Sequence, residues 1–240
     1  MDVELLAHRG LWKQPDQRNS IAALRRGLEM GFGLETDLRD QHGQVVISHD
    51  PPAGEGADCL SLRGLCELYR DAGSTATLAL NIKSDGLAAQ VNSTLEQFQI
   101  RNYFVFDMSI PDMLGYLRLG LNCFSRQSEF ESQPALPQRC QGIWLDAFES
   151  LWFDDKLIDN HLDEGRNVCL VSPELHRRSA EELWPLVCRI AQRPSEKAKL
   201  MLCTDFPEEF QRYQQCHTSK PSSSTWMEFS STQRNGISMR

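Results

Sequence analysis

The sequence lacks the features that define several classes of protein. Its 240 residues contain no Cys-x-x-Cys pair, no apolar run of about 18 residues and no excess of basic residues, the net charge being −8. The missing cysteine pairs argue against a zinc site or a disulfide framework, and the missing apolar run argues against a membrane-spanning helix. The charge argues against nucleic acid or an anionic membrane as a partner. An anionic ligand would therefore need a local concentration of positive side chains.

The cysteines that are present fall mostly within apolar runs, as Cys169, Cys188 and Cys203 do. Such cysteines are typically reduced and buried, which indicates a reducing compartment. The sequence opens directly on a strand-like run, without the basic segment and apolar segment of a secretory leader. We therefore expect a cytoplasmic protein without an integral membrane segment.

Short apolar runs alternate with helical patterns along most of the chain. Eight such strand–helix units within about 215 residues predict an α/β fold, a compact (β/α)8 TIM barrel. The run Gln44–Ser48 is expected to form a short extra strand after strand 2. Residues 1–215 would form this single domain, and the Ser/Thr-rich, aperiodic residues 216–240 would form a disordered polar tail.

The alternative architecture is an open, doubly wound sheet, and the ends of the predicted strands distinguish the two. A barrel gathers the carboxyl ends of all its strands around one mouth, whereas an open sheet spreads them along an edge. Nearly every predicted strand ends in a polar residue, which favours the barrel: His8, Glu35, Asp37, Lys83, Asp107, Arg126, Asp146, Glu174 and Asp205.

The stretch from Gly33 to Asp50 concentrates groups that bind metal or move protons. Glu35 and Asp37 are two residues apart in a predicted strand, so both carboxylates point to one face. Paired carboxylates repel unless a cation lies between them, and hard oxygen ligands suit Mg²⁺ or Ca²⁺. His49 follows the predicted strand Gln44–Ser48, and histidine is the side chain most often used for acid–base catalysis near neutral pH. The alternative, an exposed strand edge with scattered charges, stays open at this point.

In a barrel, the first three units deliver two histidines, two carboxylates and two cations to one rim: His8, His49, Glu35, Asp37, Arg9 and Lys83. This combination suits phosphodiester cleavage. A metal and the cations neutralise the non-bridging oxygens, one imidazole deprotonates the nucleophile, and the other protonates the leaving alkoxide.

Each residue taken alone also has a structural explanation, which the sequence leaves open. Charged groups at strand ends can be ordinary rim, ion-pairing or solvated residues, as His8, Arg9 and Lys83 would then be. Trp144 can belong to the core. Three aspartates can cap the helices that follow them: Asp107, Asp146 and Asp205.

The polar motifs occur in an order that resembles the glycerophosphodiester phosphodiesterase family, a group of phospholipase-C-like TIM-barrel phosphodiesterases. The matching motifs are His8-Arg9-Gly10, Asn19-Ser20, Glu35-Thr36-Asp37-Leu38-Arg39, Ser48-His49-Asp50, Asn81-Ile82-Lys83 and Thr204-Asp205-Phe206-Pro207. The resemblance is dense up to residue 83 and thin afterwards, apart from the last motif.

The resemblance implies a barrel enzyme that uses a divalent cation, Mg²⁺ or Ca²⁺, to hydrolyse a small-molecule or polymer-linked glycerophosphodiester to an alcohol and glycerol 3-phosphate. It implies that the substrate's own glycerol hydroxyl can attack the phosphorus. It also assigns the site residues. His8 and His49 would be the acid–base pair, Arg9 and Lys83 would bind phosphate, and Glu35 and Asp37 would bind the metal.

Two departures from the family pattern affect these expectations. Asn81 stands where the family has an acidic residue; its amide oxygen can still bind metal, but the site loses one negative charge. Asp107 or Asp50 would be candidates to replace that charge. Arg18 precedes Asn19, where the family tends to have glutamate.

The later loops would determine the alcohol, through residues that include Arg126, Trp144, Asp146, Glu174 and His176. Trp144 would be one of the substrate-binding residues. Three alternatives remain beside hydrolysis: a related lyase that forms a cyclic phosphate, a catalytically impaired barrel that binds a phosphorylated ligand or a partner protein, and a different metal-dependent barrel hydrolase.

Overall fold

The structure, a computed structural model, describes residues 1–52, 59–193 and 197–218. The strands are β1 (Val3–His8), β2 (Gly33–Gln41), β3 (Gln44–Ile47), β4 (Leu78–Ile82), β5 (Tyr103–Phe106), β6 (Phe124–Gln127), β7 (Gly142–Leu145), β8 (Asn167–Val171) and β9 (Leu200–Thr204). The helices are α1 (Ile21–Glu29), α2 (Leu62–Asp71), α3 (Ala88–Gln97), α4 (Ile110–Arg118), α5 (Asp155–Asp163), α6 (Trp184–Ala191) and α7 (Pro207–Thr218).

Eight of the strands are parallel and lie in the order β5-β4-β2-β1-β9-β8-β7-β6. The sheet nearly closes between β5 and β6, where Val105 and Cys123 form a parallel bridge. Strand β3 pairs antiparallel with the end of β2 through a turn at His42 and Gly43, both of which have positive φ. The predicted TIM barrel and its extra strand after strand 2 are therefore confirmed.

The barrel interior is packed with aromatic side chains. Phe104 and Phe124 stack with ring centroids 3.7 Å apart, and Phe106 and Trp144 stack at 3.9 Å. These residues alternate along their strands with residues that face the helices, as the two-residue period of a strand requires. The interior is thus a filled core, and polar chemistry is confined to the ends of the strands.

Most helices begin where local sequence predicts. Ser20, Ser61, Ser109 and Asp154 each accept a backbone N–H at the starts of α1, α2, α4 and α5. The capping-box spacing of Ser179 and Glu182 predicts a helix start at Ser179. That prediction is wrong, because Ala180–Glu182 forms a 3-10 helix and α6 begins at Trp184. Proline lacks an N–H and fits the first turn of a helix, so Pro185 favours the later start.

Two further details concern connections and ends. The connection from β6 to β7 contains no helix among the described residues, so seven α-helices accompany the eight barrel strands. Helix α7 extends to Thr218, and the rest of the predicted tail, 219–240, lies outside the described residues. Among the described helices, none combines the length and the apolar character needed to cross a bilayer.

Candidate active site

The carboxyl ends of the barrel strands surround a cavity of about 290 Å³. Seven of the eight site residues predicted from the sequence line it: His8, Arg9, Glu35, His49, Asn81, Lys83 and Trp144. The eighth, Asp37, is wholly buried beside them on β2. A larger groove of about 800 Å³ adjoins the cavity and shares Arg9, Arg18 and His49 with it. The structure therefore brings the predicted residues together, while their roles stay predictions.

The turn after β1 places Arg9 at the rim. Arg9 has a φ of 56°, and its backbone is held by hydrogen bonds to Glu35 and from Asn19, each 2.9 Å long. The next residue, Gly10, has a φ of 85°, and a Cβ there would lie 2.7 Å from the Ala23 carbonyl carbon. The His-Arg-Gly motif thus needs its glycine because no other side chain fits between the strand end and α1.

Strand register brings the predicted metal ligands together. Parallel pairing of β2 with β4 sets Asp37 opposite Asn81, and pairing of β1 with β2 sets His8 opposite Glu35. Glu35 and Asp37 are 1% and 0% exposed. Burial, followed by the charge of Asp37, raises the pKa of Glu35 to about 7. Two carboxylates in this position favour a bound cation or a retained proton.

The donor set fits a divalent cation. Glu35 Oε2, Asp37 Oδ1 and Asn81 Oδ1 are buried oxygens that accept no hydrogen bond from any described residue. Buried polar atoms are normally satisfied, and hard cations bind oxygen ligands of these types. Among the described residues, no three His, Cys, Asp or Glu side chains are grouped to hold a metal, so the set depends on the Asn81 amide.

The two predicted phosphate-binding cations both contact Asp37. Arg9 Nε lies 2.9 Å from Asp37 Oδ2, and Lys83 Nζ lies 3.6 Å from Asp37 Oδ1. Asn19 Nδ2 also donates to Asp37 Oδ2 at 2.8 Å. Asp37 therefore anchors the two cations at the cavity, where an anion can approach their outer sides.

Neither aspartate considered as a replacement for the missing acid lies free beside Asn81. Asp107 Oδ2 is 3.5 Å from Lys83 Nζ, and its other oxygen accepts a hydrogen bond from Arg126. Asp50 is exposed, and its Oδ1 lies 2.9 Å from His49 Nδ1. Each of these carboxylates is paired with another side chain. The negative charge beside Asn81 is therefore that of Glu35 and Asp37.

His8 is held by a carboxylate from the last barrel strand. Its Nδ1 lies 2.6 Å from Asp205 Oδ1, and its Nε2 lies 3.8 Å from Glu35 Oε2. Arg18 Nη2 donates to the other oxygen of Asp205 at 3.1 Å. Asp205 thus fixes the ring so that Nε2 faces the cavity.

His49 occupies a more exposed position on the rim. Its side chain is 44% exposed. Arg39 Nη2 donates to its carbonyl oxygen at 3.0 Å, which holds the backbone after β3. The exposed imidazole lines both the cavity and the adjoining groove, so it can exchange protons with solvent.

Two contacts of the site do not follow from the sequence. The Asp205 carboxylate, which the sequence allows as a helix cap, pairs with His8 and Arg18. Asp107 and Asp146 do not cap the helices that follow them, because Ser109 and Asp154 do so. In the sequence, Arg18 stands out only as a departure from the family pattern, and the position of Asp205 after the last strand is the one signal that places its carboxylate at the mouth.

The opposite side of the cavity is formed by the ends of β6, β7 and β8. Trp144 is 5% exposed and stacks on Phe106, so it belongs to the core as well as to the cavity lining. Asp146 and His176 lie beyond it, with the His176 Nε2 2.6 Å from Asp146 Oδ1. We call Arg126, Asp146, Phe148 and His176 the far wall, and Glu35, Asp37 and Asn81 the near wall.

No protein-family model matches the sequence, and no curated protein matches it. Solved structures do match the fold. A glycerophosphodiester phosphodiesterase from Parabacteroides distasonis has a TM-score of 0.65 at 15% identity, with 90% of this chain and 98% of that chain covered. A phosphodiesterase from Oleispira antarctica, in complex with the product sn-glycerol-3-phosphate, has a TM-score of 0.60 at 16% identity, covering 87% and 95%.

A Ca²⁺-dependent phosphatidylinositol-specific phospholipase C from Streptomyces antibioticus is also similar, with a TM-score of 0.55, 12% identity and coverage of 87% and 95%. At these identities the likeness is one of fold, and the shared fold is the TIM barrel. The neighbours include the family that the sequence motifs resemble.

Proposed function

We propose that the protein is a metal-dependent phosphodiester hydrolase that acts on a glycerophosphodiester and releases an alcohol and a phosphomonoester such as glycerol 3-phosphate. The observation that carries this proposal is the convergence at one barrel mouth of two histidines, two cations and three buried oxygens without hydrogen-bond donors. The likeness of the barrel to glycerophosphodiester phosphodiesterases supports the same substrate class.

The near wall would hold the metal, and Arg9 and Lys83 beside it would bind the phosphate. Glu35, Asp37 and Asn81 would bind Mg²⁺ or Ca²⁺, which supplies positive charge beside the non-bridging phosphate oxygens. Arg9 and Lys83 would bind the same oxygens while keeping Asp37 as their common counter-charge. Because both cations are held by a buried carboxylate, they need little reorganisation when the diester binds.

His8 and His49 would form the acid–base pair. One imidazole takes the proton from water, or from a hydroxyl of the substrate, as that oxygen bonds to phosphorus. The other, as imidazolium, gives its proton to the alcohol oxygen as the phosphorus–oxygen bond breaks. Asp205 would keep His8 Nε2 directed at the reacting group through its 2.6 Å contact with Nδ1.

The test is phosphate-ester release from glycerophosphocholine and from bis(p-nitrophenyl) phosphate, with EDTA, Mg²⁺, Ca²⁺ and Mn²⁺ in parallel. The expected result is metal-dependent turnover of the glycerol substrate that is lost in EDTA. Phosphorus NMR separates a phosphomonoester from the cyclic phosphate that a lyase would release. Protein that circular dichroism shows to be folded, and that turns over neither substrate with any metal, would contradict the proposal.

A second candidate is a catalytically impaired barrel that binds a phosphorylated ligand. Asn81 favours it, because an amide in place of an acid leaves the near wall one negative charge weaker. In that case glycerol 3-phosphate would raise the melting temperature of the protein, and no metal would produce turnover.

A further inference from the structure

The far wall carries a second histidine–carboxylate pair that the motif resemblance does not cover. His176 Nε2 lies 2.6 Å from Asp146 Oδ1. In the circular strand order, β7 lies opposite β2, and β8 lies opposite β4. Asp146 follows β7 and His176 follows β8, so the pair faces the near wall across the mouth.

The pair is held rigidly by its own loops. Asp146 is 5% exposed, and its Oδ1 also accepts the Ala147 backbone N–H at 2.8 Å. Trp152 Nε1 donates to the Asp146 carbonyl at 2.7 Å, and Arg178 donates to the Ala147 carbonyl at 2.6 Å. These bonds join the loop after β7 to the loop after β8. The pair is therefore preorganised in the way a recognition site requires.

The ring of His176 lines the cavity and has one nitrogen beyond its contact with Asp146. Nε2 is engaged by Asp146, and no residue within the described ranges hydrogen-bonds Nδ1. The ring of Phe148 lies against it, with centroids 4.7 Å apart. When the ring is neutral with Nε2–H donated to Asp146, Nδ1 accepts a hydrogen bond, and when the ring is protonated Nδ1–H donates one. A hydroxyl group can donate to the neutral ring and accept from the protonated ring.

The charges around this nitrogen restrict the ligand further. Arg126 is paired with both Asp107 and Glu131, and Asp146 adds another carboxylate. Three carboxylates (Asp107, Glu131 and Asp146) thus outnumber the two cations, Arg126 and Lys83, which disfavours a second anionic group on the ligand. An ammonium group has no acceptor, so it can hydrogen-bond the neutral ring but not the protonated one, and a quaternary ammonium can bond neither. An uncharged, hydroxyl-bearing group satisfies both conditions.

We propose that His176, positioned by Asp146, hydrogen-bonds a hydroxyl group of the departing alcohol, so that the preferred substrate is the glycerophosphodiester of an uncharged polyol. This inference rests on the proposed function, in which Arg9 and Lys83 bind the phosphate beside the near wall. The alcohol then extends from the phosphate toward the far wall.

The experiment compares three diesters that share the glycerophosphate half: glycerophosphoglycerol, glycerophosphoethanol and glycerophosphocholine. The wild-type protein is expected to prefer the glycerol alcohol over the ethyl alcohol by about ten-fold or more in kcat/KM, the effect of one buried hydrogen bond. His176→Ala should remove most of that preference, His176→Gln should retain part of it, and Asp146→Asn should reduce it.

The matched control is His217→Ala. This exposed histidine lies at the carboxyl end of α7, away from the mouth, and should keep the wild-type preference. If His176→Ala lowers kcat/KM by the same factor for glycerophosphoglycerol and for glycerophosphoethanol, the inference is overturned. A wild-type preference for glycerophosphocholine would overturn it as well, since the wall would then select a cation.

Calorimetric binding separates failure of this inference from failure of the proposed function. If the wild-type protein turns over none of the diesters, hydrolysis fails, and the affinities still decide the question. Tighter binding of glycerophosphoglycerol than of glycerophosphoethanol, lost in His176→Ala, would uphold the role of His176. Equal affinities in the wild-type protein would refute it.

Discussion

The near wall and the far wall of the mouth differ in how their polar groups are satisfied. On the near wall, Glu35, Asp37 and Asn81 each leave a buried oxygen without a donor. On the far wall, Asp146 is bonded to His176 and to a backbone N–H. Orphaned oxygens favour a bound cation or a retained proton, whereas satisfied pairs are already fixed in position. In the proposed function, the near wall would serve the chemistry and the far wall would select the ligand.

The largest expected effect tests whether His8 and His49 are the general acid and general base. His8→Ala or His49→Ala should lower kcat on a glycerophosphodiester by about 10²-fold to 10⁴-fold, because general acid–base catalysis contributes that much. The melting temperature should change little, since neither ring is part of the apolar core. Steady-state kinetics and thermal unfolding measure the two quantities.

An aryl diester then assigns the roles. p-Nitrophenolate leaves without protonation. The variant that lacks the general acid should therefore show a much smaller fall in kcat with an aryl leaving group than with an alkyl one. His217→Ala serves as the control for loss of a histidine. Near-normal rates for either mouth variant would remove that histidine from the acid–base pair.

The near wall could be predicted from the sequence because its residues lie within barrel strands, where the strand period and the pairing register determine which side chains come together. Glu35 and Asp37 are two apart on one strand, and a strand's period places them on one face. Asn81 ends the next barrel strand, so parallel pairing set it opposite Asp37. The barrel itself followed from alternating apolar patterns. In each case a local rule and the tertiary structure agree.

The remaining contacts involve residues of the loops that follow the strands. His8 and Asp205 are 197 residues apart, and Asp146 and His176 are 30 apart. The sequence allows Asp146 and Asp205 as helix caps and also places both at strand ends around the mouth. The barrel brings their strands beside those that carry or precede the two histidines, but no local pattern specifies which loop side chains pair.

The second effect concerns the orphaned carboxylates. The pKa of Glu35 is raised to about 7 by burial and by Asp37, above its usual value of 4.5. Between these values the folded protein keeps a proton that the unfolded chain has lost, so the free energy of unfolding of the metal-free protein should fall as pH rises. The fall is on the order of 3 kcal/mol and ends above pH 7.

Urea unfolding in EDTA from pH 4 to pH 8 measures this fall. Glu35→Gln should remove most of this pH-dependent fall in the free energy of unfolding. Glu208→Gln, which removes an exposed carboxyl, should leave the fall unchanged. Saturating Mg²⁺ or Ca²⁺ should raise stability most at the higher pH values, because the metal binds the deprotonated pair. A Glu35→Gln curve parallel to that of the wild-type protein would show that Glu35 does not carry the effect.

A third test compares the two histidine–carboxylate pairs directly. Asp205→Asn should lower kcat on every diester by a similar factor, about 10-fold to 100-fold, because it misorients His8. Asp146→Asn should instead change the preference between alcohols. Parallel kinetics on glycerophosphoglycerol and glycerophosphoethanol measure both. If the two variants gave the same pattern, the division between the walls would fail.

The smallest expected effect asks whether Asn81 belongs to the near wall's metal site. Asn81→Asp keeps the shape of the side chain and adds a third carboxylate beside Glu35 and Asp37, so it should tighten binding of Mg²⁺ or Ca²⁺ by about ten-fold in calorimetry. The same change should lower the melting temperature in EDTA, since three buried carboxylates repel one another without a cation. Asp107→Asn is the matched control, because Asp107 is engaged by Lys83 and Arg126 and should leave metal affinity nearly unchanged. An Asn81→Asp protein with unaltered metal affinity would place the amide outside the site, and the cation would then depend on two carboxylates alone.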